Sequence, residues 1–296
     1  MRANGIAPSS VTFGTIINAC CRVGNETLAI KYFNEMEADQ YFVPRIAPYN
    51  TMLQFYVQTR QERTEALRFY EKMRAQLLIP SAHTYKLLID AYATLEPVDI
   101  TAAENILKLI ASDRQRPTST HYAALIHAYA CVKQDLESAK SWFYKVIDPE
   151  FKNRVPLDEA LYQALIEAYV ANHRVAECKT IFEHMKQNNV KLTVYMANHL
   201  IHGWTVAGNL EEARKVFDSL ATEKNGLYGR EPSSYEQMTR TYLAMGDRNS
   251  ALALVDEMKT KGYPPAVVAR VTDILNGGDG FGGVYLTPSE EGLSSS

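Results

Sequence analysis

No stretch of this 296-residue chain approaches the ~20 uninterrupted apolar residues that a membrane-crossing helix needs. Cysteine is scarce: Cys20, Cys21, Cys131 and Cys178 are all there are, none in a CxxC pair and none joined by a histidine cluster. A zinc set is therefore excluded, and the thiols read as small buried apolar residues suited to a reducing compartment. Positive charge is in deficit, with 31 Lys and Arg against 34 Asp and Glu and a net charge of −3. No global basic field gathers polyanions, so any such site is a local stripe. The histidines (His83, His121, His127, His173, His184, His199, His202) are scattered, with no i, i+4 pair beside a carboxylate. "GDGFGG" from Gly278 has no preceding strand, following helix or lysine, so it reads as a linker and not a phosphate loop. Tryptophan is nearly absent, and Trp142 and Trp204 fall on apolar faces where core packing is expected.

What is abundant is repetition. "YKLLIDAY" starts at Tyr85, "YAALIHAY" at Tyr122 and "YQALIEAY" at Tyr162. Tyr85, Leu88, Ile89 and Tyr92 stand at i, i+3, i+4 and i+7, one face of an α-helix. The leading position recurs as Phe13, Tyr49, Tyr85, Tyr122, Tyr162, Ala197 and Tyr235. A second helix follows each time. Its small residue is Ala29, Ala66, Ala103, Ala139, Cys178, Ala213 and Ala251. Four residues on stand Phe33, Tyr70, Leu107, Phe143, Phe182, Phe217 and Val255, and three further on Met36, Met73, Ile110, Val146, Met185, Leu220 and Met258. This stripe predicts seven amphipathic helices with a common inward face. Gly24, Gly208 and Gly246 mark turns of the left-handed C-cap type between the two helices. Such a hairpin cannot bury its face alone. The expected fold is all-α, a right-handed α-α superhelix (solenoid) of stacked helix-turn-helix repeats, with the first helices lining a concave surface.

Seven repeats are expected at 10–45, 46–81, 82–118, 119–158, 159–193, 194–231 and 232–266. The polar stretches "DPEFKNRVPL" from Asp148 and "TEKNGLYGREP" from Thr222 are expected to project from the stack. Residues 1–9 match the end of a repeat, so the chain reads as one that more repeats preceded. A terminal helix is expected over 267–275, and a disordered Gly/Ser-rich tail over 276–296.

"VTFGTIINACCRVGNETLAIKYFNEMEADQYFVP" from Val11, "YNTMLQFYVQTRQERTEALRFYEKMRAQLLIP" from Tyr49 and "AGNLEEARKVFDSL" from Ala207 resemble pentatricopeptide repeats. The tyrosine in place of an early tryptophan, the closing methionine and the proline after it separate them from tetratricopeptide repeats. The resemblance implies single-stranded RNA binding in mitochondria, one nucleotide per repeat, in transcript processing, stability, splicing or translation. It implies no enzyme activity, cofactor, metal or small-molecule substrate. The mitochondrial ribosome or other RNA-processing proteins are further partners that the resemblance implies. The alternative is a protein-interaction scaffold whose groove holds a peptide or ribosomal partner.

By the same resemblance the base is read by the residue after the helix-one aromatic together with the last residue of the repeat. The pairs are Gly14 with Arg45, Asn50 with Ser81, Lys86 with Thr118, Ala123 with Asp158, and Gln163 with Thr193. Asn198 pairs with Glu231 or Ser233, and Glu236 with Ala266. Asn50 with Ser81 is the readable combination, of the pyrimidine-preferring kind. Arg22 keeps the family's phosphate-contacting cation, and Gln58, Thr94, Cys131, Ala171, Val206 and Ala244 replace it elsewhere. Tyr195 stands outside the apolar stripe and is the expected base-stacking aromatic.

Overall fold

The computed structural model describes residues 9–39, 43–220 and 230–278. The N-terminal segment, the loop from Thr222 and most of the Gly/Ser-rich tail lie outside the described residues. Every regular element among the described residues is helical. In chain order they are α1 (Ser10–Arg22), α2 (Glu26–Glu37), α3 (Ile46–Gln54), α4 (Arg63–Ala75), α5 (Ala82–Thr94), α6 (Ile100–Ser112), α7 (Ser119–His127) and α8 (Leu136–Ile147). There follow α9 (Glu159–Ala171), α10 (Cys178–Gln187), α11 (Val194–Val206), α12 (Leu210–Ser219), α13 (Pro232–Ala244), α14 (Arg248–Thr260) and α15 (Pro265–Leu275). α3 runs on into a π-helical turn, Phe55–Arg60, and α7 into another, Ala128–Val132.

The chain divides into two compact units, Met1–Ala168 and Tyr169–Ser296. In the first, α1 pairs with α2, α3 with α4, α5 with α6 and α7 with α8. The first helices of these hairpins also pack side by side, α1 on α3, α3 on α5 and α5 on α7. In the second unit α11 pairs with α12 and α13 with α14, α11 packs on α13, and α15 packs on both α13 and α14. This is the all-α helical-repeat arrangement that the periodicity predicts.

Local chemistry starts and stops these helices. Ser9 with Thr12, Ser81 with Thr84, and Thr118 with His121 form capping boxes at α1, α5 and α7. Asn25, Asp99, Asp135, Asn209 and Asp247 each accept a backbone N–H at the start of a second helix. Gly24, Gly208 and Gly246 take φ values of 72°, 71° and 77° at the turns, as expected. Gln61, Gln134 and His173 occupy the same left-handed conformation at three of the four turns that lack glycine, and the α5–α6 turn has no residue in it. Gly203 has a different role: a Cβ there would lie 2.9 Å from Val170 Cγ2, so α11 needs a bare backbone.

The aromatic that leads each first helix is buried at Phe13, Tyr49, Tyr85, Tyr122, Tyr162 and Tyr235, as is Ala197 in the seventh case. The small-residue and methionine positions of the second helices are buried throughout. The position between them differs from expectation. Phe33, Phe143, Phe217 and Val255 are buried, but Tyr70, Leu107 and Phe182 are only half-buried. Their preceding neighbours Phe69, Ile106 and Ile181 take the core. Residues i and i+1 lie about 100° apart around a helix of 3.6 residues per turn, so both border the same face and neighbouring packing chooses.

Three further expectations are corrected. The segment after Asp148 does not simply project, because Phe151 packs on Tyr122 at 6.3 Å and buried Val155 donates its N–H to Val146 O at 3.0 Å. Of the four thiols, Cys131 is only half-buried, and its pKa is pushed up to about 11, first by burial. Trp204 is in the core, whereas Trp142 is half-buried with the Lys145 ammonium 4.4 Å from its ring centre.

Candidate nucleic-acid interface

The residue after each buried aromatic lies one step round the helix, about 100° from the core. Asn50, Lys86, Ala123, Gln163, Asn198 and Glu236 are accordingly half-buried, as is Gly14. The residue four further on shares their face.

Asn50 and Ser81 are 31 positions apart and directly bonded, Nδ2 donating to Ser81 Oγ at 3.3 Å. Ser81 is the N-cap of α5, so the end of one repeat and the start of the next helix meet at Asn50. Asn198 Nδ2 likewise donates to Ser233 Oγ at 3.2 Å, which selects Ser233 over exposed Glu231 as its neighbour. The other candidates are engaged elsewhere. Lys86 Nζ is 2.6 Å from Asp90 Oδ2, and Gln163 Nε2 donates to Glu167 at 3.2 Å. Glu236 pairs with Arg270 at 3.1 Å. Thr118 caps α7 with His121, and Thr193 caps α11 by accepting Met196 N–H at 3.3 Å. Asp158 accepts from Ser119 Oγ and from Leu161 N–H, while Ala123 has no polar group to offer it. Arg45 is exposed at the start of α3 without a side-chain cap bond, and a Cβ at Gly14 would make ordinary contact with Pro48 Cγ at 3.8 Å.

Charge along this face is balanced. In the first helices of the first unit the two cations Arg22 and Lys86 are matched in number by Asp90 and Glu167. Arg22 is exposed in the last turn of α1. Tyr195, the expected stacking aromatic, is half-buried and already holds the His199 ring at 4.3 Å between centres. Neither Asp90 nor Glu167 was singled out by the sequence reading, although Lys86–Asp90 is an i, i+4 pattern that could have exposed the pairing.

Away from this face, the tyrosine hydroxyls tie hairpins together. Tyr49 donates to Glu37 at 3.1 Å, and Lys72 is 2.8 Å from the same carboxylate. Tyr85 donates to Asp113, which Arg74 grips through both terminal nitrogens at 3.2 Å. Tyr235 donates to Glu257 at 2.9 Å, where Arg230 and Lys261 converge. Burial pushes all three phenols above their usual range, and the adjacent carboxylates add to it. These tyrosines are structural ties and unavailable for stacking. Among the described residues no group of three or more His, Cys, Asp or Glu is placed to hold a metal, and no helix is long and apolar enough to cross a membrane.

Comparison with known proteins adds a separate line. Residues 4–37 and 160–190 match the PPR repeat family, and residues 39–94 and 180–227 match the pentatricopeptide repeat domain. A protein of Schizosaccharomyces pombe, pentatricopeptide repeat-containing protein 5, mitochondrial, is 43% identical over 79% of this chain and 18% of its own length. The Arabidopsis thaliana large ribosomal subunit protein mL102 (rPPR5) is 24% identical over 56% of this chain and 22% of its own. The chain thus spans less than a quarter of either relative. Among solved structures, the pentatricopeptide repeat protein PPR10 in complex with an 18-nt psaJ RNA element superposes with a TM-score of 0.53. It is 22% identical, over 92% of this chain and 38% of that one, a likeness of fold.

Proposed function

Because this chain belongs to the pentatricopeptide repeat family, we propose that it binds single-stranded RNA on the helix faces that carry Asn50 in the first unit and Asn198 in the second, and acts in mitochondrial RNA metabolism. It acts by binding, in transcript processing, stability, splicing or translation, and not by catalysis of its own. The observation that carries the reading is the Asn50–Ser81 bond. Two residues assigned to one base by family position are brought into contact on a half-open face, where a base edge can meet both. The mitochondrial setting is supported by the fission-yeast relative's name.

In this reading Asn50 and Ser81 carry most of the base selection, and Asn198 with Ser233 a lesser share. Gly14, Ala123 and Glu236 sense shape or charge more than base identity. Arg22 contacts phosphate. Binding is to be measured by selection from a random single-stranded RNA pool. Asn50→Ala is expected to flatten preference at one nucleotide, an effect of about 1–3 kcal/mol, while overall affinity changes little. A pool from which nothing is enriched would refute the reading.

A second reading has one observation in its favour. The balanced Arg22, Lys86, Asp90 and Glu167 suit a polypeptide partner better than a polyphosphate. Capture of a ribosomal or peptide partner that Asn50→Ala releases, with no RNA enrichment, would establish the scaffold instead. The ribosomal relative from Arabidopsis thaliana keeps that outcome in view.

A further inference from the structure

Thr84 is fully buried at the start of α5, and its hydroxyl meets three groups. Ser81 N–H donates to it at 3.0 Å, Ser81 Oγ lies 3.0 Å away, and it donates to Asn50 Oδ1 at 2.8 Å. Ser81 Oγ in turn accepts Thr84 N–H at 3.3 Å and Asn50 Nδ2 at 3.3 Å. Each hydroxyl has one proton to place. Thr84's goes to Asn50 and Ser81's goes to Thr84, so every donor is satisfied, with each hydroxyl oxygen accepting two bonds.

The distances also select the orientation of the amide. Turning Asn50 over would stretch an O–H···O bond to 3.3 Å, beyond the usual range of about 2.5–3.0 Å. In the observed orientation the short contact is the O–H···O bond and the long one is N–H···O, the order that bond lengths favour.

We propose that Thr84 is a positioning residue that fixes which way the Asn50 amide faces. Its hydroxyl turns Oδ1 toward the buried start of α5, and Ser81 takes one Nδ2 proton. The second Nδ2 proton is left as the group offered to a ligand. The ligand chemistry it fits is a base edge with a carbonyl acceptor, which rests on the RNA reading above.

The second unit supplies a contrast. There α13 starts with Glu231 as N-cap, and Ser234 takes the place that Thr84 has in α5. Asn198 donates to Ser233, but Asn198 Oδ1 and Ser234 Oγ are both buried without a hydrogen-bond partner among the described residues. That amide is held from one side, so the sharper selection belongs to Asn50.

The test uses Thr84→Val, which keeps the shape and removes the hydroxyl, and Thr84→Ser, which restores it. The Asn50 side-chain amide, followed by ¹⁵N relaxation in the free protein, is expected to be ordered in the parent and Thr84→Ser and loosened in Thr84→Val. Against single-stranded RNA oligonucleotides varied one position at a time, Thr84→Val is expected to lose about ten-fold discrimination at one nucleotide. Affinity for the non-preferred oligonucleotides stays within about two-fold, and Thr84→Ser recovers the preference. A cap weakened without this role would lower the melting temperature and leave the nucleotide profile alone. An Asn50 amide equally ordered in Thr84→Val overturns the positioning role, as does a nucleotide preference that survives its loosening. A parent that binds no oligonucleotide defeats the RNA reading and the base-selection half of the proposal. The relaxation measurement then still decides the orientation half.

Discussion

Lys86 stands where a base-reading side chain is expected, yet its ammonium lies 2.6 Å from Asp90 with the carboxylate mostly covered. A cation matched in this way has little left for phosphate. Asp90→Asn should therefore release it, raising affinity for single-stranded RNA and steepening log affinity against log salt by about 0.7. A salt titration of parent and variant measures both, and an unchanged slope means that Lys86 does not face the RNA. His121 is the other residue whose environment makes a sharp statement. Its Nδ1 must accept, because Thr118 N–H points at it from 2.9 Å, so Nε2 carries the proton and donates to Ala82 O at 2.8 Å. A second proton on Nδ1 would face the Thr118 N–H, with only Thr118 Oγ, 3.0 Å away, to accept it. Burial first, then the nearby Lys86, lower its pKa below 6.5, while the Ala82 bond and Asp90 pull the other way. Tyr85 is a further titratable neighbour, with its ring centre 6.3 Å away. The unfolded chain takes up the proton first, so stability is complete above the unfolded pKa and falls as pH drops below it. Melting temperatures between about pH 7.5 and 5.5 should decline in the parent and decline less in His121→Asn.

At the scale of elements, the helices are set by caps and the turns by left-handed residues. Leu77 ends α4 at φ 57° and is 90% exposed, while the corresponding sites at Asn189 and Gly262 use residues that tolerate that conformation. A β-carbon there costs roughly 1–2 kcal/mol, partly offset by the extra freedom a glycine has in the unfolded chain. The side chain packs on almost nothing, so Leu77→Gly is expected to stabilise the protein by about 0.5–1 kcal/mol in urea denaturation. Loss of stability would show that the exposed leucine has a partner. The π-helical turns after α3 and α7 bring Gln61 and Gln134 into the same conformation, which shows that the turn geometry outweighs residue preference at those sites.

For the molecule as a whole, stacking predicts that damage stays local. Phe143 of α8 is fully buried and meets Tyr162 of α9 at 5.6 Å between ring centres. Phe143→Ala should cost on the order of 3–5 kcal/mol at that contact. In an array of hairpins, each held by its neighbours, the loss appears first in α7, α8 and α9. Hydrogen exchange should show protection falling there and persisting in α1 to α4. Uniform loss along the first unit would mean a single cooperative core instead. The same locality explains how this face can tolerate irregular repeats. Under the RNA reading proposed above, a mismatch such as Gly14 or Ala123 weakens one reading position without disturbing the next.

The sequence by itself determined the helical phase, the seven leading positions, the buried small-residue and methionine stripes, and the glycine turns. Each is written in a 3.6-residue period or in one residue's backbone freedom, and both act locally. The Asn50–Ser81 pairing was also legible, through family position. Only the tertiary structure decided between Phe182 and Ile181, Tyr70 and Phe69, or Leu107 and Ile106. Neighbours on a helix share the border of one face, and the adjacent hairpin fills it with whichever fits. It also chose Ser233 over Glu231, folded Phe151 and Val155 back onto the stack, and set Asp90 against Lys86. Thr84 shows the reason most plainly. Its place in a capping box is readable three residues from Ser81, but its bond to Asn50 spans 34 positions and exists only once α3 and α5 lie side by side.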